Sequence, residues 1–489
     1  MNPMTVRQRL EIGLTHHRAG RLREAEDIYR QVLAEEPNHP EALQLLAGVA
    51  TQIGRYDTAI DLLDKAIQAN PNVALFHGNI GSLYLKIQRL DEAVAALERA
   101  LQLDPQLAPA YYNLGGALSD KGEFHRAAAV FRTGISLNPH WPELHNVLGF
   151  ALRDCGDYDE SLAAFRRSVA LRPDFADGHR NLGMTLLLLG DFRNGWAEYE
   201  WRLKMPQLVQ TRNTAQPKWD GQTLEGKTIL LYPEQGFGDA FQFIRYAPLV
   251  AKRGGKVIVE CVPELAGVLR GVEGVERVIT RGDSWPSYDV QSSIMSLPLA
   301  FGTTLETIPA EVPYLAAAPD RVAAWRERLG NPDGRRRVGL VWAGRPEHPN
   351  DRRRSMRLDQ FAPLAEVKSA RFYSLQKGPA ASQAAAPPPG MDFVDWTADL
   401  HDFADTAALI ANLDLVICVD TSVAHLAGAM AKPVWVLLHS APDWRWMLNR
   451  TDSPWYPTMR LFRQAEPGNW TGVIANVSRA LSQMQNQLK

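Results

Sequence analysis

One spacing governs the first two hundred residues. Prolines stand at positions 37, 71, 105, 139 and 173, each 34 residues after the last. Glycine keeps the same step at 13, 81, 115, 149 and 183, with Ala47 in the gap, and again at 20, 54, 122, 156 and 190, where Gln88 fills the gap. Ala25, Ala59, Ala93, Ala127, Ser161 and Gly195 form a column of small residues, and Tyr29, Leu63, Leu97, Phe131, Phe165 and Tyr199 a column of bulky ones. A period of this length marks a stacked array of one helical hairpin, with about six copies between roughly residues 6 and 204. Each column has a task. Small residues let two helices approach, the bulky residue fills the space beside them, the second glycine turns the chain between helices, and the proline ends the second helix.

A chain of 489 residues is too long for one core, so further domains are expected. Apolar residues make up 45% and charged residues 22%, as in a soluble globular protein. A net charge of −2 supplies no basic field, which argues against nucleic acid as a partner. Three separated cysteines, Cys155, Cys261 and Cys418, fit a reducing compartment and not a disulfide framework. No CxxC or HExxH occurs and the twelve histidines show no metal-ligand spacing, so neither a metal nor a cofactor is expected. The opening "MNPMTVRQRLEIGLTHHRAG" is polar and charged, unlike a secretory signal, and Asp414, Asp420 and Lys432 interrupt the longest apolar runs. A cytoplasmic protein with no membrane span is the expectation.

Past the array, residues 205–226 are polar, hold Pro206 and Pro217, and read as a connecting segment. Apolar strands and helical stretches then alternate. Strands are expected at 228–232, 257–261 and 276–279, with helices starting near Asp239 and Pro263. After a loop-rich stretch and a helix over 321–329, a second series begins with a strand at 338–342 and continues through "RFYSLQKG", "MDFVDW", "LDLVICVD" and "KPVWVLL". The pattern predicts an α-solenoid over 1–204 followed by two Rossmann-like domains, 227–330 and 331–489, the second with a closing helix. In such folds ligands sit at the carboxyl ends of the strands.

Three loops there carry the candidate chemistry. In "EQGFGDAFQFIRY", Gln235, Gly236 and Gly238 precede or flank a helix start and Asp239 lies at its beginning, either as an ordinary cap or as a general base at the mouth of a cleft. In "GRPEHPNDRRRSMR", Arg345, Arg352, Arg353, Arg354 and Arg357 crowd a turn; most are expected at the surface and one at a pyrophosphate. Gln376 and Lys377 follow the next strand, where a cation can reach phosphates. The third loop, in "VICVDTSVAHLAGAM", places Asp420, Thr421 and Ser422 at a strand-to-helix junction with His425 one turn on. A helix starting there offers free N–H groups and roughly half a positive charge to an anion. Asp420 would repel phosphate, so it fixes the loop or accepts from a sugar hydroxyl. A capped helix with a core histidine accounts equally well for these residues.

The repeat pattern resembles the tetratricopeptide repeat, whose concave face implies a bound peptide or protein. Asn79, Asn113 and Asn181 share one repeat position and resemble the asparagine ladder of O-GlcNAc transferase, interrupted here by Leu45 and Val147. "DTSVAHLAGAM" with "KPVWVLL" resembles a segment of the glycosyltransferase family 9 heptosyltransferases, and "GFGDAFQFIRYAPLVAKRG" resembles their N-terminal loop. This resemblance implies a GT-B fold, a nucleotide-diphosphate sugar as co-substrate and no metal. It puts Asp239 in the place of the catalytic base, Thr421, Ser422 and His425 at the donor phosphates, Asp420 at the donor-binding acid and Arg354 near a phosphate-binding cation. Ser422 stands where heptosyltransferases have glycine, and those enzymes lack repeats, so donor and acceptor do not carry over. The domain order is similar to that of O-GlcNAc transferase and of bacterial repeat-bearing enzymes that modify proteins such as flagellin.

The expected activity is inverting, metal-independent transfer of a sugar to a hydroxyl of a protein, flagellin-like or other, held by the repeats. The sole DxD, Asp157-Tyr158-Asp159, falls in a repeat turn. The repeats also offer a surface for homo-oligomers. Two rivals stand beside this reading: an adaptor with a degenerate GT-B region, and a transferase acting on a glycan. Trp444, Trp446, Trp455 and Tyr456 are expected to be core or interface, with Asp443 and Arg445 near the donor pocket.

Overall fold

The computed structural model describes residues 4–205, 216–348 and 350–484, so residues 206–215 of the expected connecting segment lie outside the described residues. The chain forms two compact units, Met1–Asn181 and Leu182–Lys489.

The repeats are six antiparallel helix pairs, namely α1 (Val6–Arg18) with α2 (Leu22–Glu35), α3 (Pro40–Gln52) with α4 (Tyr56–Ala69), α5 (Ala74–Lys86) with α6 (Leu90–Leu103), α7 (Ala108–Asp120) with α8 (Phe124–Leu137), α9 (Pro142–Cys155) with α10 (Tyr158–Leu171), and α11 (Ala176–Leu188) with α12 (Phe192–Tyr199). The first glycine column is required by contact. A Cβ on Gly115 would overlap the Phe131 ring, and one on Gly149 would lie 2.8 Å from Phe165 Cδ1, so the bulky column sits on the backbone of the facing helix. The second column is required by backbone conformation. Gly20, Gly54, Gly122, Gly156 and Gly190 all have positive φ, and Gln88 is forced to φ 62° in the same turn. A further periodic device joins neighbouring turns: His77, His145 and His179 place Nε2 at 2.9, 3.0 and 3.1 Å from the carbonyls of Pro71, Pro139 and Pro173, and the Tyr111 hydroxyl donates to Pro105 at 3.1 Å.

The second unit holds two parallel sheets. In the first, β1 (Thr228–Tyr232), β2 (Lys256–Cys261), β3 (Val275–Thr280) and β4 (Val290–Ser293) take the order β3-β2-β1-β4. In the other, β5 (Arg336–Val341), β6 (Ala370–Ser374), β7 (Phe393–Val394), β8 (Leu415–Val419), β9 (Val434–Leu438) and β10 (Met459–Arg463) take the order β10-β9-β8-β5-β6-β7. The helices of this unit are α13 (Phe237–Phe243), α14 (Ala247–Lys252), α15 (Pro263–Leu269), α16 (Leu297–Ala300), α17 (Pro319–Leu329), α18 (Asp351–Arg354), α19 (Phe403–Ala411), α20 (Ser422–Ala429) and α21 (Trp470–Gln483). Central strands such as "LVICV" are buried along their length, as helices on both faces of a parallel sheet demand. Each sheet starts in its middle, grows one way and then returns to the other side of its first strand. That reversal creates a switch point between β1 and β4 in one sheet and between β5 and β8 in the other, and loops leaving the strand ends there must diverge and open a crevice.

Two strands, β4 and β10, were not expected. β4 is "VQSS", whose serines are buried by hydrogen bonding and not by hydrophobicity, and β10 is an edge strand alternating buried Leu461 with exposed Arg460. The closing helix α21 packs on β10 and on the turn over 358–366, with Ser478 Oγ donating to Pro363 O at 3.2 Å.

Residues 192–204 belong with the α/β unit, so the border expected at 204 lies inside it. The Trp196 and Trp444 rings meet edge-on at 5.2 Å, Phe192 stacks on Trp455 at 6.1 Å, and the Trp196 indole donates to Thr303 O at 3.0 Å. Arg202 is fully buried, donating to Glu234 Oε1 at 2.6 and 2.9 Å, to Glu200 Oε2 at 2.8 Å and to Ser296 Oγ at 2.9 Å. A buried guanidinium with these charge partners has its fork satisfied, which a buried ion pair needs if it is not to destabilise the core.

Candidate functional site

The two switch points face each other. β1 ends at Tyr232, the turn Pro233-Glu234-Gln235-Gly236 follows, and α13 begins at once with Asp239 in its first turn. Asp239 Oδ2 accepts from the Gly236 N–H at 2.8 Å, so the carboxylate closes the helix start. Its other oxygen accepts from Arg445, which follows β9 and also donates to Gln242 Oε1 at 2.7 Å and Asp443 Oδ1 at 2.8 Å. Burial pushes the Asp239 carboxyl above its ordinary value, against the pull of that guanidinium. Asp443 is half-buried, but Arg445 and the backbone N–H it accepts hold it below the ordinary value.

Across the crevice, β8 hands over to α20 at Asp420-Thr421. Thr421 occupies the cap position, yet its side chain makes no capping bond, and its Oγ1 is buried without a hydrogen-bond partner among the described residues. A buried hydroxyl left unpaired costs about 1–3 kcal/mol, so a ligand that accepts from it recovers that cost. Asp420 is raised by burial and by the nearby Asp443 carboxylate. His425 is buried, stacks on Trp446 at 5.3 Å and places Nδ1 3.0 Å from the Tyr456 hydroxyl. Burial, assisted by Arg445, lowers its pKa to about 3, so it is a neutral imidazole. The imidazole therefore brings no positive charge to this crevice.

The helices α13 and α20 touch. A Cβ on Gly238 would lie 2.8 Å from His425 Cδ2, which makes this glycine a contact requirement, whereas one on Gly236 would meet only Asp239 Oδ2 at an ordinary 3.5 Å, with φ −72°. Asp239 and His425 are thus brought together from separate sheets. Arg354 joins them, donating to Asp420 O at 3.0 Å with Nε 3.4 Å from Asp351 Oδ1. Ser422 is half-buried in the first turn of α20.

Other expected residues are placed differently. Gln376 is buried and its amide is occupied by backbone: it accepts from Trp342 N and Ala343 N at 3.0 and 2.8 Å and donates to Ala343 O and Lys377 O at 3.0 and 2.8 Å. It fastens the ends of β5 and β6. Lys377 is exposed and donates to Thr397 O at 2.8 Å. Gln235 donates to the Tyr199 hydroxyl at 3.2 Å. Arg345 and Arg357 are exposed. In the repeats, Asn79 and Asn113 are half-buried and make no hydrogen bond among the described residues, while Asn181 donates to Asn146 Oδ1 at 3.1 Å, one residue before the ladder's break at Val147.

Sequence reasoning missed Glu234, Arg202, Ser293 and Gln242. Glu234 sits beside the base candidate, where Arg202 and Ser293 Oγ (2.5 Å) both meet its Oε1. The available signal was Arg202, a charged residue in a repeat column that elsewhere holds Val32, Ala66, Ala100, Gly134 and Ser168. Trp444, Trp446, Trp455 and Tyr456 are fully buried and form core and interface.

Comparison with known proteins agrees with this layout. Residues 16–80, 81–122, 108–140 and 151–190 match tetratricopeptide-repeat models, and residues 397–466 match the glycosyltransferase family 9 (heptosyltransferase) model. That last span contains Asp420, Thr421, Ser422, His425, Asp443 and Arg445. Protein FlbA of Caulobacter vibrioides is 27% identical over 311 residues, which is 59% of this chain and 52% of FlbA, so the chain spans about half the length of that relative. Among solved structures, a MamA protein is 27% identical over 35% of this chain and 93% of its own, with a TM-score of 0.32. The repeat protein TTC0263 of Thermus thermophilus is 23% identical over 37% of this chain and 100% of its own, also with a TM-score of 0.32. No helix among the described residues is long and apolar enough to cross a membrane. The chain therefore joins a tetratricopeptide-repeat array to a C-terminal region of the glycosyltransferase family 9 (heptosyltransferase) type.

Proposed function

We propose that this protein is an inverting glycosyltransferase that moves a sugar from a nucleotide diphosphate to a hydroxyl of a protein acceptor engaged by the repeats, without a metal at the transfer site. The carrying observation is the contact of α13 with α20, in which Gly238, next to Asp239, meets His425 and Ser422 in the first turn after Thr421. Asp239 takes the acceptor proton as its oxygen attacks the anomeric carbon, and the bond from that carbon to the diphosphate oxygen breaks with its electrons leaving on the phosphate. Charge developing there meets the N–H groups at the start of α20, the Thr421 hydroxyl, the neutral imidazole of His425 and the Arg354 guanidinium. Asp420 is then suited to a sugar or ribose hydroxyl.

The test separates binding from chemistry. Melting curves against UDP, GDP, ADP, CMP and dTDP should show selective stabilisation by one nucleotide, roughly 2.7 kcal/mol at a hundredfold excess over Kd. Thr421→Val should remove that shift. Asp239→Asn should keep it while abolishing sugar transfer to protein, and EDTA should leave transfer intact. Flat curves across the panel would instead favour the adaptor reading. One observation speaks for that rival: Arg445 already occupies the Asp239 carboxylate. An Asp239→Asn protein that retained full biological activity would establish it.

A further inference from the structure

The fourth and fifth repeats meet at an unusual trio. Ligand atoms of His125 at the start of α8, Cys155 at the end of α9 and Asp157 at the cap of α10 all lie within 4.8 Å of one another. None of the three side chains makes a hydrogen bond or ion pair among the described residues, and Asp157 does not use its carboxylate to cap α10. No linear spacing signals the group, because His125 comes from one hairpin and the Cys-Gly-Asp turn from the next.

The 34-residue period shows what this joint is for. One repeat earlier the same three positions are Asp91, Lys121 and Glu123, where the Lys121 ammonium lies 2.6 Å from Asp91 and 3.2 Å from Glu123. There a cation clamps two carboxylates across the joint. The two joints before that carry Asp57, Ile87 and Arg89, and Arg23, Ile53 and Arg55, with an apolar residue at the centre. At the fourth joint of this unit the centre is a thiol, with an imidazole and a carboxylate around it. One sulfur, one nitrogen and one oxygen donor form a set that a borderline-soft divalent ion takes up tetrahedrally, with the fourth position open. Bringing these atoms onto such an ion needs closure on the order of 1 Å, which side chains at a solvent-facing turn allow.

We propose that His125, Cys155 and Asp157 bind a divalent cation of the zinc class, which clamps the fourth repeat to the fifth as Lys121 clamps the third to the fourth. On binding, the Cys155 thiol gives up its proton to solvent and the thiolate, the imidazole and the carboxylate take three sites, leaving one for water. The site is independent of the transfer chemistry.

The test uses the full chain, reduced and stripped of metal, titrated with cobalt(II). Expected is a thiolate-to-cobalt charge-transfer band that saturates at one equivalent and is bleached by zinc. Cys155→Ser should abolish it, and His125→Ala, at an exposed position that leaves packing untouched, should weaken binding at least tenfold. The melting point should rise with zinc in the parent chain and stay put in the His125→Ala, Asp157→Ala double variant. Absence of the band, or a band unchanged by both single substitutions, would overturn the proposal.

Discussion

Gln88 occupies a turn where five other repeats have glycine, at φ 62°. Its amide gains only a 3.5 Å contact with Leu85 O, too long to offset the clash between Cβ and the backbone in the left-handed region. Gln88→Gly is expected to stabilise the array by about 0.5–1 kcal/mol, read as a raised melting midpoint; an unchanged or lowered midpoint would show that the turn carries no strain. His425 supports a prediction of another kind. Its folded pKa of about 3 lies below the ordinary 6.5, so between those values the unfolded chain binds a proton that the folded chain refuses. Stability from this residue is complete above about pH 6.5 and falls as the pH drops towards 3, by up to about 1.4 kcal/mol per pH unit. His425→Asn should flatten that part of the stability–pH profile, which urea midpoints across the range would measure.

At the scale of elements, helix pairs are set by which backbone a bulky side chain overlies. Phe131 covers Gly115 so closely that Gly115→Ala must displace the ring, at a cost of roughly 1–3 kcal/mol. Phe131→Leu frees that space, so the double variant should lose less than the sum of the single losses. Additive losses in a denaturation cycle would mean the two residues do not report on one contact. The same logic positions the candidate site, because Gly238 lets α13 lie on α20 and so decides how far Asp239 is from that helix.

For the whole molecule, the end of the array is the structural anchor of the α/β unit. Phe192, Trp196 and Tyr199 are buried among the tryptophans after β9, and Arg202 neutralises Glu234 near Asp239. A chain starting at Leu182 should therefore fold, while one starting at 205 should be insoluble or melt far lower. Loss of Arg202 alone strands a buried carboxylate, worth about 3–5 kcal/mol. Equal melting of the two truncations would refute the anchor.

The repeat architecture was legible because stacking imposes one contact geometry six times, and each repetition of Gly115 over Phe131 or of a left-handed glycine writes the same residue at the same step. The strands of both sheets were legible where they are apolar on both faces, as at β1, β5 and β8, and lost where hydrogen bonds bury them, as at β4. Within the site, Asp239 and Thr421 could be named from their place after strands. Their mutual position could not, since it depends on Gly238 meeting His425 across 187 residues of chain. Sequence alone likewise could not tell that Gln376 is consumed by backbone, that Arg445 reaches Asp239, or that His125 meets Cys155. Periodicity and hydrophobicity are local properties that a chain carries in its order. Charge pairing, desolvation and the reach of a side chain are settled only when distant segments are packed together.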